Sequence, residues 1–150
     1  MQCGTGCSDC CHVRLTITGV EAEAIRVYAA GLPGPARRNL AEFGPPDRCA
    51  ALDPGGRCKI YDARPLVCRS HGVPIRLGRG SLPVVQACHR NFQRTAPDPD
   101  CVLDQATLSA MLFAIDTEAR GAAHGGDPGA SGAPAERVDL ASLLADLAAF

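Results

Sequence analysis

Residues 3–11 read CGTGCSDCC and carry four thiols, those of Cys3, Cys7, Cys10 and Cys11. The two glycines between the first two cysteines give the backbone the freedom to curl tightly. Four thiolates brought together in this way suit a tetrahedral zinc site, and they equally suit an iron–sulfur cluster. The stretch therefore predicts a metal centre near the start of the chain.

Four further cysteines follow at wider spacing: Cys49, Cys58, Cys68 and Cys88. The two groups can form two separate four-thiolate sites, or a single site can draw on both. Two zinc ions, one cluster with one zinc ion, and a lone cluster all satisfy these spacings. The ninth cysteine, Cys101, precedes a predicted helix, and we interpret it as a buried apolar thiol rather than a ligand.

Nine cysteines among 150 residues are an odd number, at a density below that of small disulfide scaffolds. No apolar segment follows Met1, so we expect no secretory signal and a cytoplasmic protein whose thiols stay reduced. In such a protein, grouped cysteines indicate metal ligands rather than disulfides. No apolar run reaches the roughly 20 residues that span a bilayer, and we expect no membrane contact.

The charge of the chain is unevenly distributed. The formal net charge is −1, yet residues 57–94 contain eight Lys or Arg residues and a single acidic residue, Asp62. Such a segment is typical of nucleic-acid surfaces, but no aromatic interleaving supports base stacking. We therefore interpret the basic side chains as an offset for metal-bound thiolates and expect no nucleic-acid partner.

The residues that enzymes usually need are not evident in this sequence. It contains no Ser/His/Asp set, no carboxylate pair with an evident role and no phosphate-binding loop. We identify no catalytic residues and favour a metal-binding protein that is not an enzyme. Two alternatives stay open: an iron–sulfur electron carrier or cluster-dependent enzyme, and a zinc-stabilised module whose C-terminal helix contacts a protein partner.

Two helices have clear signals in the sequence. Thr18 and Glu21 form a capping box before a helix that ends at Gly31. The spacing predicts an apolar face made of Val20, Ala24, Val27 and Tyr28. Asp104 can cap a later helix that ends at Gly121. Its predicted apolar face consists of Leu108, Met111, Leu112 and Ile115.

The predicted fold is mainly α, a small helical domain with cysteine-rich metal-binding loops and at most one short β-hairpin. The arms of that hairpin are residues 75–77 and 82–85. Residues 1–120 are predicted to form the cysteine-cluster metal-binding domain, and residues 121–137 a flexible linker of Gly, Ala and Pro. Residues 138–150 form a C-terminal amphipathic helix, which we expect to dock on the domain.

Three later motifs, CKIY at 58–61, RPLVCR at 64–69 and CHRNF at 88–92, accompany the cluster at 3–11. With these motifs the chain resembles the CxxxCxxCC family of the YkgJ type, a group described as zinc- or iron-chelating proteins. The resemblance implies that the cofactor is zinc or iron. It implies ligation by Cys3, Cys7, Cys10, Cys11, Cys58 and Cys68, with Cys49 and Cys88 at matching places.

Four side chains near the cysteines are candidates for a supporting role around the metal: Arg64, Arg69, Tyr61 and His71. Arg64 and Arg69 bracket Cys68 and can offset thiolate charge or donate to sulfur. Tyr61, together with Ile60, can pack as a lid over the site or simply as core. His71 lies close to a candidate ligand, and we interpret its imidazole as a neighbour rather than a ligand.

Overall fold

A computed structural model describes residues 2, 4, 6–42, 47–78, 84–123 and 137–149. Within these residues the α-helices are α1 Gly19–Ala30, α2 Gly34–Arg38, α3 Leu66–Ser70, α4 Gln105–Ala123 and α5 Leu140–Ala148. The strands are β1 Thr16–Ile17, β2 Ile75–Leu77, β3 Val84–Gln86, β4 Leu103–Asp104 and β5 Val138–Asp139. Short 3-10 turns occur at Asn39–Ala41, Tyr61–Ala63 and Pro99–Cys101.

The prediction of a mainly α fold with at most one hairpin is wrong. Of the described residues, 47% are helical and 11% lie in strands, and these strands form two small sheets, so the fold is mixed α/β. β1 pairs antiparallel with β5, and β2 lies between an antiparallel β3 and a parallel β4. Strands of two residues show no alternation, and their partners are distant in sequence, so local patterns do not reveal them.

Helix α1 begins at the predicted capping box. Thr18 N–H donates to Glu21 Oε2 at 3.0 Å, and Glu21 N–H donates to Thr18 Oγ1 at 3.4 Å. The same Glu21 carboxylate accepts the backbone N–H of Leu66 through Oε1 at 2.8 Å. One side chain therefore stabilises the start of α1 and also holds the first residue of α3.

A buried carboxylate joins α4 to the start of α1. Asp116 on α4 is 1% exposed, and its Oδ1 accepts the Val20 N–H at 2.9 Å. A Cβ atom at Gly19 would lie 3.3 Å from that oxygen, so the close approach favours glycine there. Arg120 Nε lies 3.3 Å from Asp116 Oδ2. The negative charge of Asp116 is therefore paired and also favoured by the N-terminal end of the α1 dipole.

Helix α5 closes the core. Its first residue, Leu140, donates its N–H to Leu15 O at 3.0 Å, next to the β1–β5 pair. Asp139 caps the helix by accepting the Ser142 N–H at 2.8 Å, and this hydrogen bond lowers the pKa of the Asp139 carboxyl. The helix packs against the 3-10 turn Asn39–Ala41 and buries its leucines, so it docks on the domain as expected.

The hydrophobic core combines residues from both ends of the chain. It consists of Ile17, Ala22, Ile25, Ala29, Leu40, Cys49, Ala51, Leu52, Ile60, Leu140, Leu143 and Leu144. The apolar face of α5 is therefore used inside the protein. Residues 124–136, most of the predicted linker, lie outside the described residues. Among the helices that are described, none combines the length and the apolarity needed to cross a bilayer.

Candidate metal centre

A short antiparallel loop brings Cys49 and Cys58 together. Lys59 N–H donates to Ala51 O at 2.8 Å, and Leu52 and Cys58 form an isolated β-bridge. Cys49 is 7% exposed and belongs to the hydrophobic core, while Cys58 is half-buried against it. The loop therefore presents two thiols at the edge of the core.

Backbone N–H groups point at both of these sulfurs. Burial raises the pKa of the Cys49 and Cys58 thiols above 9.0. A hydrogen bond from the backbone of Ala51 opposes this effect at Cys49, and one from the backbone of Ile60 opposes it at Cys58. Such N–H donors stabilise the thiolate form, which is the form that binds metal.

The N-terminal loop lies against this pair. Cys49 N–H donates to Cys11 O at 2.8 Å. This hydrogen bond holds residues 10 and 11 next to the loop that carries Cys49. Burial raises the pKa of the Cys11 thiol, and repulsion from the ionised forms of Cys10, Cys49 and Cys68 raises it further. These repulsions mean that thiols from both cysteine groups share one electrostatic neighbourhood.

Helix α3 adds the next thiol to this neighbourhood. Burial raises the pKa of Cys68 to about 12, with further contributions from Cys49, Cys58 and Cys10. We refer to the thiols of Cys10, Cys11, Cys49, Cys58 and Cys68 as the inner thiol group. Within the described residues, no three Cys, His, Asp or Glu side chains are already arranged as a metal-binding set. The inner thiols thus lie near one another, but their side chains are not yet arranged around a single metal position.

Cys7 and Cys88 lie in a second neighbourhood, which we call the outer thiol pair. Both thiols are half-buried, and both act electrostatically on the Arg90 guanidinium. Arg90 Nε donates to Asp9 Oδ2 at 2.6 Å, and this hydrogen bond is the main reason that the pKa of Arg90 is raised. His89 Nε2 lies 3.7 Å from the same oxygen. The remaining predicted ligand, Cys3, lies outside the described residues.

Arg64 faces the inner thiol group. Its guanidinium lies 3.7 Å from the centre of the Tyr61 ring, and its Nε donates to Tyr61 O at 3.1 Å. The positive charge of Arg64 lowers the pKa of Cys58 and Cys68 against the larger effect of burial. Tyr61 itself is 58% exposed, whereas Ile60 is buried in the core. Tyr61 therefore supports Arg64 rather than forming part of an apolar lid with Ile60.

Arg69 is held by backbone carbonyls, and His71 lies at the surface. Arg69 Nε donates to Arg64 O at 2.7 Å, and its second nitrogen donates to Asp62 O. Arg69 thus connects α3 to the preceding turn through backbone carbonyls. His71 follows α3 and is exposed. Cys101 is exposed too, so the prediction that this thiol is buried is wrong.

Lys59 also acts on the thiols, and the sequence analysis did not distinguish it from the other basic residues around it. Its Nζ donates to Asn39 O at 3.0 Å, to Leu40 O at 3.1 Å and to Glu42 O. Its charge lowers the pKa of the neighbouring Cys49 and Cys58 thiols, and burial lowers the pKa of Lys59 itself. The only sequence signal was its position directly after Cys58.

Comparison with protein families gives a match over the cysteine-containing part of the chain. The family model CxxCxxCC, described as "Putative zinc- or iron-chelating domain", matches residues 2–101 and so includes every cysteine of the chain. The family name implies two residues between the first two cysteines, whereas this chain has three between Cys3 and Cys7. Comparisons with curated proteins and with solved structures give no significant match.

Proposed function

The chain belongs to the CxxCxxCC family of zinc- or iron-chelating domains, and we propose that it binds its metal through the inner thiol group. The observation that carries this proposal is that the Cys49 N–H donates to Cys11 O and that the Leu52–Cys58 bridge joins the second loop, so that thiols from separate segments act on one another electrostatically. Both cysteine groups of the sequence contribute such thiols. A single centre that draws on both groups is therefore favoured over two unrelated sites.

The donors fit zinc or iron. Thiolates are soft ligands that suit both Zn²⁺ and iron–sulfur clusters. The sulfurs of Cys49 and Cys58 already accept backbone N–H bonds, which is the outer-shell support that metal-bound ligands typically receive. Four thiolates complete a tetrahedral zinc site. The inner group holds one thiol more than that. The other cysteines predicted as ligands are Cys3, which lies outside the described residues, and Cys7 and Cys88 of the outer thiol pair.

Positive charges compensate the bound thiolates in this proposal. Arg64 and Lys59 both act on the inner thiols, and each is held in place by hydrogen bonds to backbone carbonyls. Because burial raises the pKa of the Cys11, Cys49, Cys58 and Cys68 thiols and keeps them protonated at neutral pH, metal binding by these thiols must release protons. Metal retention should therefore fall as the pH is lowered.

Metal analysis of the full chain, purified anaerobically, tests the proposal. We expect zinc or iron in the wild type and in Cys101→Ser, whose thiol is exposed, and loss of metal in Cys49→Ser and Cys58→Ser. A colourless metal-bound protein identifies zinc thiolate. A brown protein whose absorption bleaches on reduction identifies an iron–sulfur cluster and favours the electron-carrier alternative. Equal metal content in all four proteins would contradict the proposed ligands.

A further inference from the structure

A pocket of about 500 Å³ lies beside Cys88, and none of the inner thiols lines it. Arg76 of β2 and Val85 of β3 are register partners, so both project from the same face of the small sheet, and both line this pocket. Its volume falls in the range of about 300–1,000 Å³ that is usual for small-molecule sites. The sheet and the turn that carries Cys88 therefore border an open pocket that is large enough for a small ligand.

Arg76 is the cation of this pocket. Its side chain is half-buried, and among the described residues its guanidinium has no hydrogen-bonded or salt-bridged partner. Asp104 of β4 is the register partner of Arg76 and interacts with it electrostatically, but its Oδ1 accepts the Thr107 N–H at 2.8 Å, and the two side chains form no salt bridge. Because a partly desolvated cation gains most from a charged hydrogen-bond acceptor, this pocket favours an anion.

Part of the pocket lining is apolar. It is formed by Phe92, Pro97, Pro99 and Val102. Phe92 has a φ of 55°, which is the one positive φ among the described non-glycine residues. Backbone in this region persists only where its surroundings over-determine it, and it is common at ligand-binding sites.

The neighbour of Phe92 explains how the turn is held. Asn91 is 5% exposed, and its N–H donates to Cys88 O at 2.8 Å. Its side-chain amide donates to Gly72 O at 2.6 Å and accepts the Gln2 N–H at 2.6 Å. The turn that carries Phe92 is therefore held by hydrogen bonds before a ligand binds, which lowers the entropy that a ligand must overcome on binding.

We propose that this pocket binds a small organic anion with an apolar body. The acidic group of the ligand pairs with Arg76, and its apolar part lies against Phe92 and Pro99. A ligand in this position covers the Cys88 side of the outer thiol pair. The proposal goes beyond metal chelation by the inner thiols, and neither its residues nor its test depends on the identity of the metal.

Benzoate is the probe for the test, since it joins a carboxylate to an apolar ring. Binding to the full chain as purified is measured by ligand-observed NMR titration, alongside acetate and benzyl alcohol. We expect benzoate to bind more tightly than acetate, which lacks the ring, and than benzyl alcohol, which lacks the charge. Arg76→Gln should weaken the affinity for benzoate by about tenfold or more, the effect expected for a lost charge-assisted hydrogen bond.

The matched control is Arg94→Gln, which removes an exposed arginine that does not line the pocket. A second variant, Val85→Asp, places a negative charge in the pocket at a position that is 44% exposed and should tolerate it. This variant should weaken benzoate binding without lowering the metal content of the protein. Equal affinity for benzyl alcohol, or equal loss in Arg76→Gln and Arg94→Gln, would overturn the proposal.

Discussion

Burial raises the pKa of four inner thiols, those of Cys11, Cys49, Cys58 and Cys68, and Cys68 shows the consequence. Its pKa is raised from 9.0 to about 12, first by burial and then by neighbouring thiols. In the unfolded chain the same thiol ionises near 9.0. The folded state therefore holds this proton more tightly than the unfolded state between those two values.

This difference predicts how the stability of the reduced, metal-free protein depends on pH. The contribution of Cys68 is fully present below pH 9.0 and is lost as the pH rises towards about 12. Urea unfolding measured below and above pH 9.0 should show this loss. The Cys68→Ser variant should lose less stability over the same interval. Parallel curves for the two proteins would show that Cys68 does not titrate as described.

Arg64 should matter for metal retention more than the arginine next to Cys58 in sequence. Arg64→Gln removes the charge that acts on Cys58 and Cys68. We expect it to weaken metal retention by about 10–100-fold, as for other partners of bound ligands. Arg57→Gln is the control, because Arg57 is exposed. Competition with a chromophoric chelator measures the metal affinity of both variants. Equal metal retention in the two variants would contradict a role for Arg64.

The helices of this protein are connected by side chains that act on two elements at once. Pro65 precedes α3 and provides no side-chain cap. Instead, the Glu21 carboxylate of α1 accepts the N–H of Leu66, the first residue of α3. The same carboxylate also completes the capping box at the start of α1. The position of Cys68 on α3 therefore depends on a carboxylate from another helix.

Glu21→Ala should affect stability and metal retention together. Loss of the capping interactions is expected to cost about 1–2 kcal/mol of unfolding free energy, and the loosened α3 should release metal more readily. Glu21→Gln should restore part of both, since Gln also caps. The control, Glu23→Ala, breaks only an exposed ion pair with Arg26 and should cost under about 1 kcal/mol. Chemical denaturation with metal analysis distinguishes these variants.

Residues beyond the region matched by the family model complete the hydrophobic core of the molecule. That match ends at residue 101, yet Leu140, Leu143 and Leu144 share one core with Cys49 and Ile60. Helix α5 and the thiol loop therefore pack into the same cluster. The integrity of the candidate centre should depend on a helix at the far end of the chain.

Leu144→Ala tests this dependence. Leu144 is fully buried, and its truncation should cost about 2–5 kcal/mol of unfolding free energy. Leu147 is half-buried on the same helix, so Leu147→Ala should cost less. Circular dichroism during urea unfolding measures both. Unchanged stability in Leu144→Ala would mean that α5 does not close the core.

The sequence by itself determined the features that depend on neighbours along the chain. The capping box of Thr18 and Glu21 predicted the start of α1, and the structure confirms it. The hairpin arms were also predicted near β2 and β3, which pair antiparallel, although residues 79–83 lie outside the described residues. The cysteine motifs identified the family, which the match confirms. Each of these signals is complete within a few residues, so no tertiary contact is needed to recognise it.

Tertiary structure alone decided which surfaces are buried. The predicted apolar face of α1 included Val27, which is 67% exposed, whereas Ile25 and Ala29 are fully buried. Apolar residues lie on more than one side of that helix, so periodicity could not choose the buried side. On α4, Met111 and Ile115 of the predicted face are more than half exposed. The packing of distant segments made these choices.

The same reason applies to the sheets and the thiols. Thr16 pairs with Asp139 across almost the whole chain, and two-residue strands contain no pattern that predicts such a partner. The division of the cysteines into an inner group and an outer pair likewise follows from where the loops dock. Spacing restricts which thiols can meet, but burial and long-range packing select among the arrangements that spacing allows.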